Sequence, residues 1–228
     1  AYISITEAFQ HGSAETGIKP EFSWFSSEDL NRDELETHMN EVDGVVIPPG
    51  FGERGVEGKI ATARIARENG VPLFGICLGM QVATIEFARN VIGLDEANST
   101  EFEPEASDLV IDLMPEQIEV ENKGGTMRLG SYETTLKQGT NTREIYGKDT
   151  IRERHRHRYE FNNEYRGVFE KAGMELAATS LDGKLVEIIE LRDHPWYIGV
   201  QFHPEFKSRL EDPHPLFTSF LRACSRTG

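Results

Sequence analysis

Three short, uninterrupted apolar runs predict β-strands that are buried inside a sheet. They cover residues 44–47, 72–76 and 196–202. Runs of this length and continuity are typical of parallel strands covered on both faces. Between the first two runs, apolar side chains recur at helical spacing over residues 55–69, and Gly70 and Pro72 mark the end of that helix. Strand, helix and strand in succession predict a parallel βαβ unit.

The remaining pattern predicts an α/β fold with a smaller antiparallel region. Helices are predicted over residues 4–10, 78–91 and 216–224, strands over 109–113, 126–129 and 186–191, a mobile loop over 114–125 and an irregular link over 204–215. We expect one domain over residues 1–228, with a doubly wound, mostly parallel sheet flanked by helices. Such a sheet usually begins with a strand, so the opening helix indicates that a first strand or a partner domain lies outside this sequence.

Composition argues against several classes of function. The 228 residues carry a formal net charge of -15, which repels nucleic-acid phosphates and anionic membrane surfaces. No apolar run reaches the roughly 18 residues of a membrane span, and the N-terminus lacks the pattern of a secretory signal. Cys77 and Cys224 are the only cysteines, and neither a CxxC pair nor an HExxH segment occurs. We therefore expect a cytoplasmic protein with free thiols and no metal site.

The segment GICLG at residues 75–79 places Cys77 between a predicted strand and a predicted helix. This is the pattern of a nucleophile elbow, with sulfur in place of the more usual hydroxyl. The flanking glycines permit a sharp turn, and the helix N-terminus favours the thiolate form of the cysteine. The alternative is a buried structural cysteine, a common occupant of protein cores.

The segment QFHPEF at residues 201–206 supplies a base and an acid for such a nucleophile. His203 follows a predicted strand and Glu205 lies two residues further on. A cysteine hydrolase needs an imidazole to move the thiol proton and a carboxylate to fix the tautomer of that imidazole. Taken alone, His203 is better explained as a capped or solvent-facing histidine at a strand end, and the combination with Cys77 is what favours catalysis.

The segment PPGFG at residues 48–52 follows the first predicted strand. A glycine-rich turn at this place can direct backbone N–H groups at a developing oxyanion, and the N–H groups of Gly50 and Leu78 would form a two-donor hole. The alternative is an ordinary loop.

These motifs together resemble the class I glutamine amidotransferases, and further segments resemble the glutaminase domain of the CTP synthases across nearly the whole chain. The most specific of them are ANSTEF (97–102), GGTMRLG (124–130) and RHRHRYE (154–160). The resemblance implies a catalytic triad of Cys77, His203 and Glu205. It also implies a glutamine and oxyanion site formed by Gly50, Phe51, Leu78, Gly79, Met80, Gln81, Glu101 and Arg158.

Individual roles also follow from the resemblance. Glu101 would meet the α-ammonium of glutamine, and Arg158 would lie near the substrate or an activating nucleotide. A zwitterionic substrate requires such opposite charges around it. The sequence departs from the family at Pro49, where the family usually has glycine, and proline removes one N–H beside the predicted oxyanion hole.

The implied reaction is hydrolysis of the glutamine side-chain amide, with the ammonia used to convert UTP to CTP in the full enzyme. The full enzyme would use ATP and Mg²⁺, with GTP as activator, and would be a homo-oligomer. UTP and ATP would bind a synthetase domain that precedes this region. No cofactor is expected in the present region.

Three other readings stay open from the sequence. One is a γ-glutamyl peptidase or related cysteine hydrolase on the same fold, and another is a non-catalytic or effector-dependent regulatory module. The third is a nucleic-acid patch at the basic residues 152–158, which the acidic surroundings disfavour. Arg156 and Arg158 are instead assigned to an effector or domain contact. The remaining histidines are read as surface or structural residues, and Cys224 as an inert thiol.

Overall fold

The computed structural model describes residues 2–28, 32–113 and 127–225. The α-helices in these ranges are α1 (Ile3–Thr16), α2 (Arg32–Asn40), α3 (Val56–Asn69), α4 (Leu78–Phe87), α5 (Asn141–Tyr146), α6 (Arg166–Ala172) and α7 (Pro215–Cys224). The strands are β1 (Val45–Ile47), β2 (Leu73–Ile76), β3 (Ala97–Ser99), β4 (Asp108–Leu113), β5 (Arg128–Leu136), β6 (Thr150–His157), β7 (Tyr159–Phe161), β8 (Met174–Ser180), β9 (Val186–Leu191) and β10 (Tyr197–Val200). A π-helical turn, Ala88–Ile92, extends α4, and a 3₁₀ turn, Pro204–Phe206, follows β10.

The described strands form two sheets. The larger has the order β1-β2-β10-β9-β8-β5-β6, and the smaller has the order β3-β4-β7. Strand β2 pairs in parallel with both β1 and β10, whereas the pairings from β10 through to β6 are antiparallel. Because β2 and β10 are parallel neighbours, the residues that follow them emerge at the same edge of the sheet. This pairing places the turn after β2 beside the turn after β10.

Helices cover both faces of the larger sheet. Successive residues of a strand point to opposite faces, and in β2 Leu73 joins one apolar cluster while Phe74 joins the other. The first cluster lies beneath α3 and α4, and the second lies beneath α1 and α7. Phe74 packs edge-on against Phe217 of α7, with ring centroids 5.3 Å apart. Strand β2, which ends immediately before Cys77, is therefore fully buried.

The predicted α/β class is confirmed, and so are the three apolar strands, the helix between the first two and the C-terminal helix. The first helix is longer than predicted and ends at Gly17, whose positive φ of 74° allows the left-handed C-cap. The antiparallel part of the larger sheet is also larger than predicted. In the described residues, only the β1–β2 and β2–β10 pairings of that sheet are parallel. The predicted loop at 114–125 lies outside the described residues, as does the start of the predicted strand at 126–129.

Candidate active site

A cavity of about 630 Å³ opens at the edge of the sheet where β2 and β10 end. It is lined by eight residues of the predicted site, namely Gly50, Phe51, Cys77, Gln81, Glu101, Arg158, His203 and Glu205. The other three, Leu78, Gly79 and Met80, are absent from its lining. The side chains of Leu78 and Met80 pack into the core beneath α4. These three residues can therefore contact a ligand in the cavity only through their backbone atoms.

Cys77 occupies a strained turn between β2 and α4. Its φ is 54° and its ψ is -101°, and among the described residues it is the only one other than glycine with a positive φ. Such a conformation costs about 1–3 kcal/mol in an L-residue. Its N–H donates to the carbonyl of Val200, 2.7 Å away, which ties the turn to β10. The neighbouring glycines are required by contact, because a Cβ on Gly79 would lie 2.1 Å from the carbonyl oxygen of Ile47. The predicted elbow geometry is confirmed.

The thiol of Cys77 is protonated at rest, contrary to the expectation drawn from the helix N-terminus. Burial raises the pKa of Cys77 to about 12, and the carboxyl groups of Glu205, Glu160 and Glu101 act in the same direction. The backbone N–H of Leu78 lowers the pKa of the thiol, as the helix terminus should, but this effect is smaller than that of burial. The reactive thiolate must therefore be formed by transfer of the proton to a base.

His203 is placed to be that base. Its Nδ1 lies 2.8 Å from Oε1 of Glu205, and both side chains are buried. Because a carboxylate only accepts, Nδ1 carries the proton of the neutral ring, and Nε2 is left as an acceptor. Nε2 is buried and has no hydrogen-bond partner among the described residues. The ring also stacks on Phe206 at 5.3 Å between centroids, which fixes its plane.

Gly50 lies opposite the start of α4. A Cβ at this position would come within 2.9 Å of Cδ2 of Leu78, so glycine is required for the close approach of the two segments. Positive φ is found at Gly52 but not at Gly50. Pro49 and the largely exposed Phe51 line the mouth of the same cavity. This arrangement brings together the two segments that the sequence assigned to an oxyanion hole.

Glu101 forms the acidic end of the cavity. Its Oε1 accepts a hydrogen bond from the N–H of Gly52 at 2.7 Å, which anchors the carboxylate to the glycine-rich turn. Burial raises the pKa of Glu101, while the Gly52 hydrogen bond and the charge of Arg158 oppose that shift. Glu101 and Arg158 thus present opposite charges to one cavity, which is the requirement for a zwitterionic ligand.

One residue beside Cys77 was not singled out from the sequence. Gln201 is fully buried, and its Nε2 lies 3.6 Å from Sγ of Cys77. Its Oε1 accepts from Nε2 of Gln81 at 3.2 Å, and that same Nε2 donates to the carbonyl of Tyr159 at 3.2 Å. Gln201 belongs to the QFHPEF segment and lies two residues before His203, so its position in the motif was the signal that could have identified it.

A buried polar cluster lies behind the cavity, where the sequence had suggested surface or structural histidines. Nδ1 of His155 lies 2.9 Å from Nε2 of His157, and Arg128 lies 2.7 Å from Glu187 and 3.7 Å from Glu160. Burial and the charge of Arg128 lower the pKa of His155 to about 2 and of His157 to about 3. Burial raises the pKa of Glu187 to about 7. The two histidines are therefore neutral and inside the fold, and His157 also lines the cavity.

The described residues contain no group of three or more histidine, cysteine or acidic side chains arranged to hold a metal ion. Among the described helices, none is both long and apolar enough to cross a bilayer. Among the described residues, neither Cys77 nor Cys224 is in a disulfide bond.

Comparison with known proteins identifies a family. The chain matches the model of the class-I glutamine amidotransferases over residues 1–223. It is 56% identical over its whole length to the CTP synthase of Roseiflexus castenholzii, and 53% identical over 98% of its length to that of Listeria innocua. It spans 41% and 42% of the lengths of these curated relatives.

Solved structures agree with this likeness. The glutaminase domain of Trypanosoma brucei CTPS with bound acivicin is 37% identical, with a TM-score of 0.93 over 99% of this chain and 88% of that one. A glutamine amidotransferase from Thermotoga maritima is 16% identical, with a TM-score of 0.50 over 82% of this chain and 78% of that one. At that identity the second likeness concerns the fold alone.

Proposed function

Since the chain belongs to the class I glutamine amidotransferase family, we propose that it hydrolyses the side-chain amide of L-glutamine to glutamate and ammonia. The observation that carries the proposal is the convergence of Cys77, His203 and Glu205 on one cavity. Cys77 sits on a strained turn, and His203 is held by Glu205 with its Nε2 unpartnered in the part of the chain that the structure describes. This is the arrangement of a cysteine nucleophile with its general base.

The first half of the reaction forms a thioester. Nε2 of His203 takes the thiol proton, and Sγ of Cys77 attacks the amide carbon of glutamine. The N–H groups of Gly50 and Leu78 hold the tetrahedral oxyanion, an interaction whose loss typically costs about 10²–10³ in rate. The imidazolium then returns the proton to the departing nitrogen, which leaves as ammonia. A γ-glutamyl thioester on Cys77 remains.

The second half of the reaction regenerates the enzyme. His203 accepts a proton from water as that water attacks the thioester carbon, and the same oxyanion site holds the second tetrahedral intermediate. Collapse of that intermediate releases glutamate, and the proton on His203 returns to the sulfur of Cys77. Glu205 keeps the ring in one tautomer and stabilises the imidazolium in both halves.

Recognition of glutamine is assigned to the charged ends of the cavity. Glu101 would pair with the α-ammonium and Arg158 with the α-carboxylate, and Gln81 lines the wall between the cavity and the core. Charge-assisted hydrogen bonds of this kind fix the register of the substrate, so that the side-chain amide reaches Cys77.

For the whole protein we propose that the ammonia aminates UTP to CTP in the cytoplasm. The proposal rests on the likeness to CTP synthases and on the chain spanning about two-fifths of their length. The synthetase domain, the ATP, Mg²⁺ and UTP sites and the homo-oligomeric contacts would then lie in the remaining part of such a protein. GTP is proposed as the activator. CTP formation from UTP, ATP, Mg²⁺ and glutamine, with and without GTP, tests this step.

Ammonia release from L-glutamine tests the glutaminase proposal directly. We expect release by the chain, none above background by Cys77→Ala, and near wild-type release by Cys224→Ala, which makes the same change at the second thiol. Equal release by the wild type and Cys77→Ala would overturn the nucleophile assignment. Absence of release from the wild type, with GTP and a synthetase domain supplied, would instead favour a non-catalytic module.

A glutamine-like electrophile provides an independent test of the nucleophile. Mass spectrometry of the peptides should find its adduct on Cys77 and not on Cys224. Pre-incubation with L-glutamine should slow the labelling. An adduct on Cys224 alone would contradict the assignment.

A further inference from the structure

Two buried side chains, those of Gln81 and Gln201, connect the nucleophile to the wall of the cavity through hydrogen bonds. Nε2 of Gln81 donates both to the carbonyl of Tyr159 and to Oε1 of Gln201, each at 3.2 Å. Nε2 of Gln201 then lies 3.6 Å from Sγ of Cys77. Gln201 is fully buried, and Gln81 is 3% exposed.

The direction of this chain of hydrogen bonds is fixed by its far end. A backbone carbonyl can only accept, so Tyr159 requires the amide nitrogen of Gln81 to face it. The second hydrogen of that nitrogen points to Gln201, which must therefore present its own oxygen to Gln81. The amide nitrogen of Gln201 is left to face Cys77, and Oε1 of Gln81 is left as the polar atom that the cavity can use.

We propose that Gln201 is a positioning residue of the glutaminase site, which donates a hydrogen bond to the sulfur of Cys77 and fixes the amide of Gln81 with its carbonyl towards the substrate. The catalytic role of Gln201 in this inference rests on the proposed glutaminase function. A donor beside the sulfur stabilises the developing thiolate, because a hydrogen bond to the charged form favours that form. A fixed acceptor on Gln81 suits a positively charged part of the ligand.

The backbone supports this role. The N–H of Gln201 donates to the carbonyl of Glu187 at 2.9 Å, and the N–H of Cys77 donates to Val200 at 2.7 Å. Both ends of the contact between Gln201 and Cys77 are thus held by the sheet. The contact therefore does not depend on the conformation of a loop, and the backbone hydrogen bonds remain when the side-chain amide of Gln201 is removed.

Two substitutions separate the two halves of the role. In its ionised form, Gln201→Glu keeps an oxygen that can accept from Gln81 but removes the donor to the sulfur. Gln201→Met is of similar size and removes both. Gln10→Met makes the same chemical change at an exposed position of α1 and serves as the control. The readouts are the rate of Cys77 alkylation by iodoacetamide as a function of pH, followed on the Cys77 peptide, and kcat and KM for glutamine hydrolysis.

We expect both variants to alkylate more slowly at a given pH, by about three- to tenfold in Gln201→Met, the effect of losing one hydrogen bond. Gln201→Glu should be slower still, because its carboxylate repels the thiolate, and it should lower kcat while KM stays within about twofold, since its bond to Gln81 persists. Gln201→Met should also raise KM. Gln10→Met should match the wild type in every readout.

Wild-type alkylation in both Gln201 variants would overturn the inference, and so would an unchanged KM in Gln201→Met. Gln201→Glu is nearly isosteric with the wild type, so it decides the donor half should Gln201→Met fail to fold. Alkylation needs no glutamine. If the wild-type chain releases no ammonia even with GTP and a synthetase domain supplied, the proposed function fails while the alkylation rates still decide whether Gln201 supports the thiol.

Discussion

Replacing Cys77 by alanine and by glycine measures the strain that the turn after β2 imposes on the proposed nucleophile. The residue has φ 54° and ψ -101°, a region that glycine enters freely and other residues avoid. Neither substitution needs an enzymatic assay. The change from alanine to glycine removes one methyl group and the strain together, so its cost reports on the strain once the other contributions are subtracted.

Those other contributions follow from burial and chain entropy. At a relaxed, buried position, glycine in place of alanine loses about 0.8 kcal/mol of methyl burial and about 1 kcal/mol of conformational preference, or about 1.8 kcal/mol together. Position 77 is only 6% exposed, so the methyl contribution applies there as well. Relief of strain should return about 1–3 kcal/mol. We therefore expect the alanine-to-glycine change at position 77 to cost less than about 0.8 kcal/mol, or to stabilise the fold.

Urea unfolding followed by circular dichroism gives the required free energies, with Ala83→Gly as the matched control. Ala83 is fully buried in α4, six residues after Cys77, and should show the full cost of about 1.8 kcal/mol. At position 77, the cost of the alanine-to-glycine change is the unfolding free energy of Cys77→Ala minus that of Cys77→Gly. At position 83, it is the unfolding free energy of the wild type minus that of Ala83→Gly. Equal costs at the two positions would refute the strained elbow.

Three further predictions concern stability and the oxyanion site. Gly79→Ala should destabilise the fold by about 3 kcal/mol or more, because the new Cβ would meet the backbone oxygen of Ile47. Gly167→Ala is the control, because a Cβ at position 167 has no atom within 4 Å. In the same urea titration it should be neutral or stabilising. In the wild type, the ring of His157 stays neutral in the fold because its pKa is about 3, and it binds a proton near its ordinary pKa only on unfolding. His157→Gln removes this proton uptake, so the free energy of unfolding should fall less steeply as the pH drops from 6 to 4, by about 1.4 kcal/mol per pH unit. An unchanged slope would contradict the neutral buried ring. Pro49→Gly should change kcat/KM for glutamine by less than about tenfold, since the proposed donor is the N–H of Gly50, and a larger gain would show that the missing N–H at position 49 matters.

The sequence was sufficient for the part of the fold that carries the nucleophile, and the reason is physical. Strands β1, β2 and β10 are covered on both faces, so nearly every position in them must be apolar and the runs are continuous. The glycines around Cys77 are equally constrained, because Gly75 and Gly79 each lie against backbone atoms that leave no room for a Cβ. Constraints this strong appear in a single sequence without comparison to others.

Strand β6 shows why the rest could not be predicted. Its residues alternate between exposed and buried, but the buried positions are Ile151, Glu153, His155 and His157. Only one of these is apolar, so the alternation does not appear as a hydrophobic pattern. The contacts of these buried polar residues are with partners distant in sequence, such as Glu187, which lies 3.7 Å from His155, and His214, which lies 3.1 Å from Glu153. A local sequence pattern does not show those partners, so residues 152–158 indicate a basic cluster and not a strand.

The same limit explains the wrong expectation for the thiol of Cys77. The helix N-terminus is visible in the sequence, and its effect on the pKa has the predicted direction. Burial and the carboxyl groups of Glu205, Glu160 and Glu101 depend on the tertiary structure, and they dominate. Two of these carboxyl groups have a proposed counter-charge during the reaction, because Glu205 faces the imidazolium of His203 and Glu101 would receive the ammonium of glutamine. Substrate binding would then remove part of what keeps the thiol protonated, so a thiol that stays protonated in the empty cavity becomes easier to ionise when the correct ligand is present.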